Sequence, residues 1–356
     1  MTIVQLEVEG FRNLRGVSLA LDPQVNLIYG DNASGKTSLL ESIHVLARGR
    51  SFKRARSEQL IQRGKRRFVL GARIKVDGHS AWLGMERTAG RTRVRVDGRT
   101  AESLSETAWL LPIHAINTES HRLLIGGPRE RRSALDWGVF HVEQNYRDRW
   151  RRFYQALRQR NAALQAGDSR LARAWEPELV AGAEGVDTSR RVYLETLWPE
   201  WHRLMTDWMP ELALHWEFHS GWPRNSTLGA LLGEARAREI ERGHTIYGPH
   251  RGDLRFIVEG IDAGQYLSRG QQKLAVIAFW LAQAALTARG GRQRPILLVD
   301  DLAAELDVGR RERVLGGLLG MDAQLLLTAL TREDLRLISC IPRVFHVEQG
   351  SYCKMV

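Results

Sequence analysis

The octapeptide Gly30-Asp31-Asn32-Ala33-Ser34-Gly35-Lys36-Thr37 constrains this chain more than any other stretch. It has the form G-x-x-x-x-G-K-[ST], a loop whose backbone N–H groups can ring a phosphate. Such a loop needs a strand before it and a helix after it. Residues 26–29 read as a buried strand. Residues 38–47 carry Leu39, Leu40, Ile43, Leu46 and Ala47 at helical spacing. The helix start offers the positive end of its dipole to the same anion. A nucleoside triphosphate is the expected ligand, contacted by residues 30–37 and by Ser38. Lys36 is expected to reach the β/γ-phosphates and Thr37 to ligate Mg²⁺.

At 356 residues the chain has room for two or three domains, and 43% apolar with 26% charged residues marks it as globular. No apolar run approaches 18 residues, so no membrane span is expected. The opening MTIVQLEVEG lacks the basic and apolar regions of a signal peptide. Cys340 and Cys353 form no C-x-x-C pair, and a disulfide framework is not expected. The expected compartment is a reducing cytoplasm. The formal net charge is +11, and only six of the 52 basic residues are lysine (36, 53, 65, 75, 273 and 354). A GC-rich genome accounts for part of the arginine bias. The net excess still draws a soluble chain to polyanions, of which nucleic acid is the most common.

Along the chain, residues 2–9 alternate as a half-buried strand. A second strand near 17–21 and a third at 26–29 lead into the loop. Basic residues follow the loop's helix, among them Lys53, Arg54, Arg56, Lys65, Arg66 and Arg67. Residues 68–97 read as an antiparallel meander with Asp77-Gly78 and Asp97-Gly98 turns. In its last strand Arg91, Arg93 and Arg95 share one face, with Thr92, Val94 and Val96 on the other. Residues 129–241 are mostly helical and rich in Arg and Trp. There Trp150, Phe153, Leu157 and Leu164 form an expected core stripe. The arginines around them, between 147 and 160, form either a solvated face or a polyanion contact. From residue 245 the pattern returns to α/β: a strand at 254–258, a helix at 269–288, strands at 296–299 and 323–328, a helix, and a strand at 344–347. The expected division is residues 1–130 as the first half of an α/β core, 131–245 as an inserted α-helical lobe and 246–356 as the second half.

Two further segments bear on the loop. Ile296-Leu297-Leu298-Val299-Asp300-Asp301 is an apolar strand ending in two carboxylates. Asp300 can hold Mg²⁺ and Asp301 can orient the attacking water. Ser268-Arg269-Gly270-Gln271 opens the long helix. Ser268 with Gln271 makes a capping box, and the same helix start can also meet an anion. Glu305-Leu306-Asp307 follows the acid pair.

A phosphate loop, a Ser-x-Gly-Gln helix start, an acid-ended strand and Leu-Asp resemble the ABC-type ATPase head. Within that class the chain resembles the RecF family of bacterial recombination mediators, over essentially its whole length. The resemblance rests on residues 6–14 (LEVEGFRNL), 126–132 (GGPRERR), 135–137 (LDW), 159–161 (QRN), 247–254 (YGPHRGDL) and 267–273 (LSRGQQK). It implies an α/β P-loop ABC-type head with an antiparallel β subdomain and an inserted α-helical lobe. It also implies ATP and Mg²⁺ as cofactors, and an ATP-dependent homodimer in which Ser268, Arg269, Gly270 and Gln271 of one copy face the phosphate loop of the other. The function implied is a weak, DNA-stimulated ATPase of recombinational repair and replication restart. It would bind duplex and gapped DNA, work with RecR and RecO, and help load RecA. Three departures from the transporter-type pattern stand out: Arg269 for the first signature glycine, Asp301 for Glu, and Thr328 or Thr331 where a switch histidine would sit. The shorter Asp301 implies slow hydrolysis. Asn117 and Glu119 are the candidates for a glutamine-loop role. The DNA contacts expected first are Arg54, Arg56, Lys65, Arg66, Arg67, Arg91, Arg93 and Arg95. An ABC transporter's nucleotide-binding subunit is the alternative, and a small-metabolite P-loop kinase a third reading.

Overall fold

A computed structural model describes residues 1–355 except 77, 102, 291–292, 303–305 and 332–342. Four expectations fall outside these residues: the helix after residue 328, Cys340, Asp77 of the first Asp-Gly turn, and Glu305. The chain divides into two compact units, residues 1–120 with 269–356, and residues 121–268. The boundaries thus lie near 120 and 268, where the sequence reading had put 130 and 245. The cause is local pairing. Strand Asp253–Val258, assigned in advance to the second half of the head, pairs antiparallel with Leu214–His219 of the helical lobe.

The first unit holds two sheets. One is antiparallel, in the order Val17–Ala20, Thr2–Glu9, Arg67–Val76, His79–Thr88, Thr92–Val96, Arg99–Thr100. Its last hairpin turns at Asp97-Gly98, with φ of 49° and 79°. Positive φ at both central residues is the turn whose twist matches a hairpin. The other sheet runs Ser351–Met355, Arg343–Glu348, Val25–Tyr29, Gln324–Ala329, Ile296–Val299, Ile113–Ile116, parallel except for the terminal hairpin. Strand Ile296–Val299 is buried at every position, as expected of a parallel strand covered on both faces.

Helix Lys36–Arg48 packs against both sheets and is buried from Leu39 to Ala47. The helix is buried on nearly every side, Glu41, Ser42 and His44 included, and one continuous cluster joins its Leu39, Ile43 and Leu46 to Leu6 and Phe68 of one sheet and Leu298 and Leu326 of the other. Gln324 rivets the two sheets: its side chain accepts from the Ile3 N–H at 2.8 Å and donates to the Ile3 carbonyl at 2.8 Å.

The second unit packs helices Pro128–Val142, Tyr146–Gln165, Glu176–Trp208 and Leu228–Arg242 with a three-stranded sheet. Phe153, Leu157 and Leu164 are buried as expected, but Trp150 is 39% exposed. Trp150 leaves the core stripe although its position lies only about 20° of helix rotation from the buried Leu157, at the edge of the stripe toward Arg147. Instead, Arg160 fills the core at 0% exposed, bonded to Glu239, Glu176 and Thr245. The 247–254 motif, which had no physical account from sequence, acquires one here. Arg131 grips Asp253 with two bonds of 2.8 and 2.9 Å, Arg132 donates to the Gly252 carbonyl, and Arg190 donates to the Pro249 carbonyl. Asn161 accepts from both the N–H and the hydroxyl of Thr245. His250 lies against the Thr245 carbonyl, and burial pushes its pKa down to about 4. Residues 126–137 and 159–161 therefore exist in large part to hold one loop.

Candidate nucleotide site

Strands Val25–Tyr29 and Ile296–Val299 flank Gln324–Ala329 in a parallel sheet, so Gly30, Asp300 and Leu330 emerge at one edge. The carboxyl edge of such a sheet is where this class of fold places its ligands. Asn117 follows the neighbouring strand Ile113–Ile116 at the same edge, where its side chain accepts from the N–H of Glu119 in a local turn.

The loop turns into helix Lys36–Arg48 through Gly35. Gly30 has φ of 152°, and a Cβ there would sit 2.2 Å from the Val347 carbonyl oxygen. No larger residue fits. Three consecutive loop carbonyls are held from outside. Asn13 Nδ2 donates to Ala33 O at 2.9 Å, the Gly350 N–H donates to Ser34 O at 2.7 Å, and the Tyr352 hydroxyl donates to Gly35 O at 2.9 Å. In a trans peptide the next N–H points opposite to the carbonyl. Fixing these carbonyls outward therefore turns the N–H groups of Gly35 and Lys36 inward, where a phosphate would lie. Ser38 donates to Asn13 Oδ1 at 2.8 Å, and Arg12 grips the buried Glu41 with two 2.8 Å bonds, so the 11–14 segment braces both loop and helix.

Lys36 folds over the loop, donating to Gly30 O at 2.5 Å and Asp31 O at 2.9 Å. Burial lowers its pKa, opposed by the charges of Asp301, Asp300 and Asp31. The Thr37 hydroxyl donates to Asp300 at 2.8 and 3.0 Å. The Thr328 hydroxyl donates to the same carboxylate at 2.8 Å and accepts from the Asp301 N–H at 2.9 Å. Asp300 is 7% exposed, and burial raises its pKa against the two hydroxyl bonds and the field of Lys53. Asp301 stands at φ 52°, left-handed backbone that Asp tolerates better than most residues, and its charge acts on both Lys36 and Asp300. Lys53 had been read only as part of a basic run. Its influence on Asp300 shows that run reaching the site.

The structure brings Gly30 to Thr37, Asp300, Asp301 and Thr328 together. Asn13, Gly350 and Tyr352 were missed as loop supports. Their signal in the sequence was faint: Asn13 sat in a family motif, and Tyr352 was one apolar-looking residue in an unassigned terminus. Ser268 and Arg269 are exposed, and Gly270 and Gln271 are partly buried, at the start of helix Arg269–Arg289. Arg54, Arg56, Lys65, Arg66, Arg67, Arg91, Arg93 and Arg95 are all exposed. Arg93 and Arg95 lie in strand Thr92–Val96 and alternate with buried Val94 and Val96, while Arg91 precedes the strand and Thr92 is exposed too. Arg67 is ion-paired with Glu86 at 3.0 Å. Among the described residues no helix is long and apolar enough to cross a membrane.

Fold and site together define a P-loop ATPase head of the ABC/SMC class. The chain belongs to the RecF/RecN/SMC N-terminal domain family, whose model matches residues 2–352, and within it to the RecF group. It is 39% identical to the DNA replication and repair protein RecF of Pseudomonas fluorescens, over 98% of this chain and 97% of that protein. It is 40% identical to the RecF of Azotobacter vinelandii, over 98% of each. Among solved structures, the recombination mediator RecF with ATP superposes with a TM-score of 0.88 at 24% identity, covering 100% of this chain and 98% of that one.

Proposed function

We propose that this protein is an ATP-driven DNA-binding switch of recombinational repair and replication restart. The observation that carries the reading is the Thr37–Asp300 contact of 2.8 Å beside a loop whose carbonyls are pinned outward, in a chain related to RecF proteins along its whole length. The cradle suits a triphosphate: glycine is required where the backbone turns, and the inward N–H groups and Lys36 would hold the phosphates. Thr37 and Asp300 are the residues that would hold Mg²⁺, which supplies charge neutralisation when bound. Asp301 would orient water for a slow hydrolysis. Leaving Asp300 for the metal, Thr37 would also release a carboxylate that burial already disfavours as an anion.

The exposed Ser268 and Arg269 fit a dimer in which each copy's helix start meets the other's phosphate loop. ATP would join two heads, and the joined heads would hold duplex or gapped DNA through exposed arginines such as Arg54, Arg56, Arg93 and Arg95. Hydrolysis would release them. The reading extends to partnership with RecR and RecO in loading RecA, supported by a solved RecF that is described within the RecFOR pathway. Membership of the RecF group leaves no observation favouring a transporter subunit or a metabolite kinase. The test is sedimentation of the protein with and without ATP, and with a gapped duplex. The reading expects a dimer only with ATP, tighter DNA binding in that state, and a DNA-raised hydrolysis rate. A monomer under all conditions would overturn it.

A further inference from the structure

Helix Tyr146–Gln165 carries six arginines between 147 and 160, and the structure separates them into two groups. Arg149 donates to the Ser189 hydroxyl, Arg152 pairs with Glu178, and Arg160 pairs with Glu239 and Glu176. Arg147, Arg151 and Arg158 are exposed and take no hydrogen bond or ion pair among the described residues. These three fall within about 40° of one another around the helix. Along the helix between them lies Trp150, 39% exposed, backed by the partly buried Tyr154, their rings 4.2 Å apart. Arg147, Trp150, Arg151, Tyr154 and Arg158 follow the i, i+3, i+4, i+7, i+11 rule of one helix face, which borders the buried stripe of Phe153, Ala156 and Leu157 on its Trp150 side.

This face is costly to keep without a partner. Arg147 and Arg151 are like charges at i,i+4, which destabilises a helix. No acid relieves them: Asp148, the nearest along the helix, is in no ion pair among the described residues. Trp150 meanwhile leaves apolar surface in water.

We propose that this face binds single-stranded nucleic acid, an inference that rests on the DNA-binding reading above. The chemistry selects the partner. Arginines rising about 6 Å (147 to 151) and about 16 Å (147 to 158) along a rigid helix can follow a run of backbone phosphates. Trp150, backed by Tyr154, gives an unpaired base a surface to stack on, which stacked duplex bases cannot use. The single-stranded side of a gap therefore lies along this helix, while duplex phosphates go to other arginines.

The test uses the full chain with ATP, an oligo-dT strand, and a blunt duplex of equal length. The wild type must first bind DNA with ATP; if it does not, the DNA-binding reading itself fails. Trp150→Ala should weaken oligo-dT binding at least about 5-fold at every salt concentration, with the salt slope and duplex binding unchanged. Replacing Arg147, Arg151 and Arg158 by Ala should flatten the slope of log affinity against log salt by about 2 for oligo-dT. Both variants alter exposed side chains, and circular dichroism checks that they fold. Wild-type oligo-dT binding by both overturns the proposal. So does loss of poly-glutamate binding alone with oligo-dT binding intact, which would give the face to an acidic protein.

Discussion

The Tyr352 hydroxyl donates a 2.9 Å hydrogen bond to the carbonyl of Gly35, across 317 positions of sequence. Two residues earlier, in the turn of the same hairpin, the Gly350 N–H holds Ser34 O, and only glycine fits there: at φ 80° a Cβ would meet Asn13 O at 2.1 Å. The terminal hairpin is thus part of the phosphate loop's scaffold. Burial, with a smaller contribution from the charge of Asp300, keeps the tyrosine protonated as a donor by raising its pKa.

Tyr352→Phe should therefore weaken ATP binding about 3- to 10-fold, the worth of one buried hydrogen bond, and cost about 1 kcal/mol of stability. Calorimetric titration with ATP measures the first. Unchanged affinity would mean that the loop keeps its orientation without the hydroxyl.

Asp300→Asn should raise the melting temperature of the nucleotide-free protein and lower Mg²⁺-dependent ATP affinity at least tenfold. The sign follows from burial: a carboxylate whose folded pKa is raised costs stability once the pH exceeds its unfolded value, and Asn removes that charge. The hydroxyls of Thr37 and Thr328 can still donate to the amide oxygen. A lower melting temperature without nucleotide would show that the charge is better paired than this account holds.

His44, inside the helix that follows the loop, has its pKa pushed down to about 3, by burial first and then by the nearby charge of Arg48. Folded His44 stays neutral while the unfolded side chain takes a proton below about pH 6.5. Stability from this group is thus fully present above pH 6.5 and is lost as the pH falls toward 3, at about 1.4 kcal/mol per pH unit. Denaturant midpoints of the wild type and His44→Gln should differ in pH slope over that window. Parallel curves would contradict it.

Glu239→Ala should destabilise the second unit by about 3–5 kcal/mol, because it strands the guanidinium of Arg160 in the core. Glu239 also accepts from the Ile246 N–H at 2.7 Å, so the 245–253 loop should loosen with it. Hydrogen exchange at Thr245 and Ile246 would report that. Wild-type protection at both would show that Glu176 alone suffices for Arg160.

The phosphate loop and the acid pair were legible because their chemistry is written in adjacent residues: a glycine spacing, and four apolar residues before two acids. The partners of those residues were not. Thr328 meets Asp300 and Tyr352 meets Gly35 only because strands far apart in sequence become neighbours in one sheet. Strand Ile113–Ile116 and the 343–355 hairpin went partly or wholly unassigned, being short apolar runs with no periodicity of their own. For helix Tyr146–Gln165, spacing showed where the arginines lie but could not say that Arg160 faces Glu239 while Trp150 faces solvent, since period marks a side and not its occupant.

The central claim, that ATP joins two copies through reciprocal sites, is tested most directly by mixing two inactive variants. Lys36→Met removes the loop's cation and Ser268→Arg blocks the helix start. Neither should dimerise with ATP alone, because both of its composite sites are broken. A mixed pair has one intact site, formed by the loop of the Ser268→Arg chain and the helix start of the Lys36→Met chain. Sedimentation of the mixture with ATP should therefore show dimers that neither variant forms by itself. A mixture that stays monomeric, or a Ser268→Arg protein that dimerises unaided, would contradict the account.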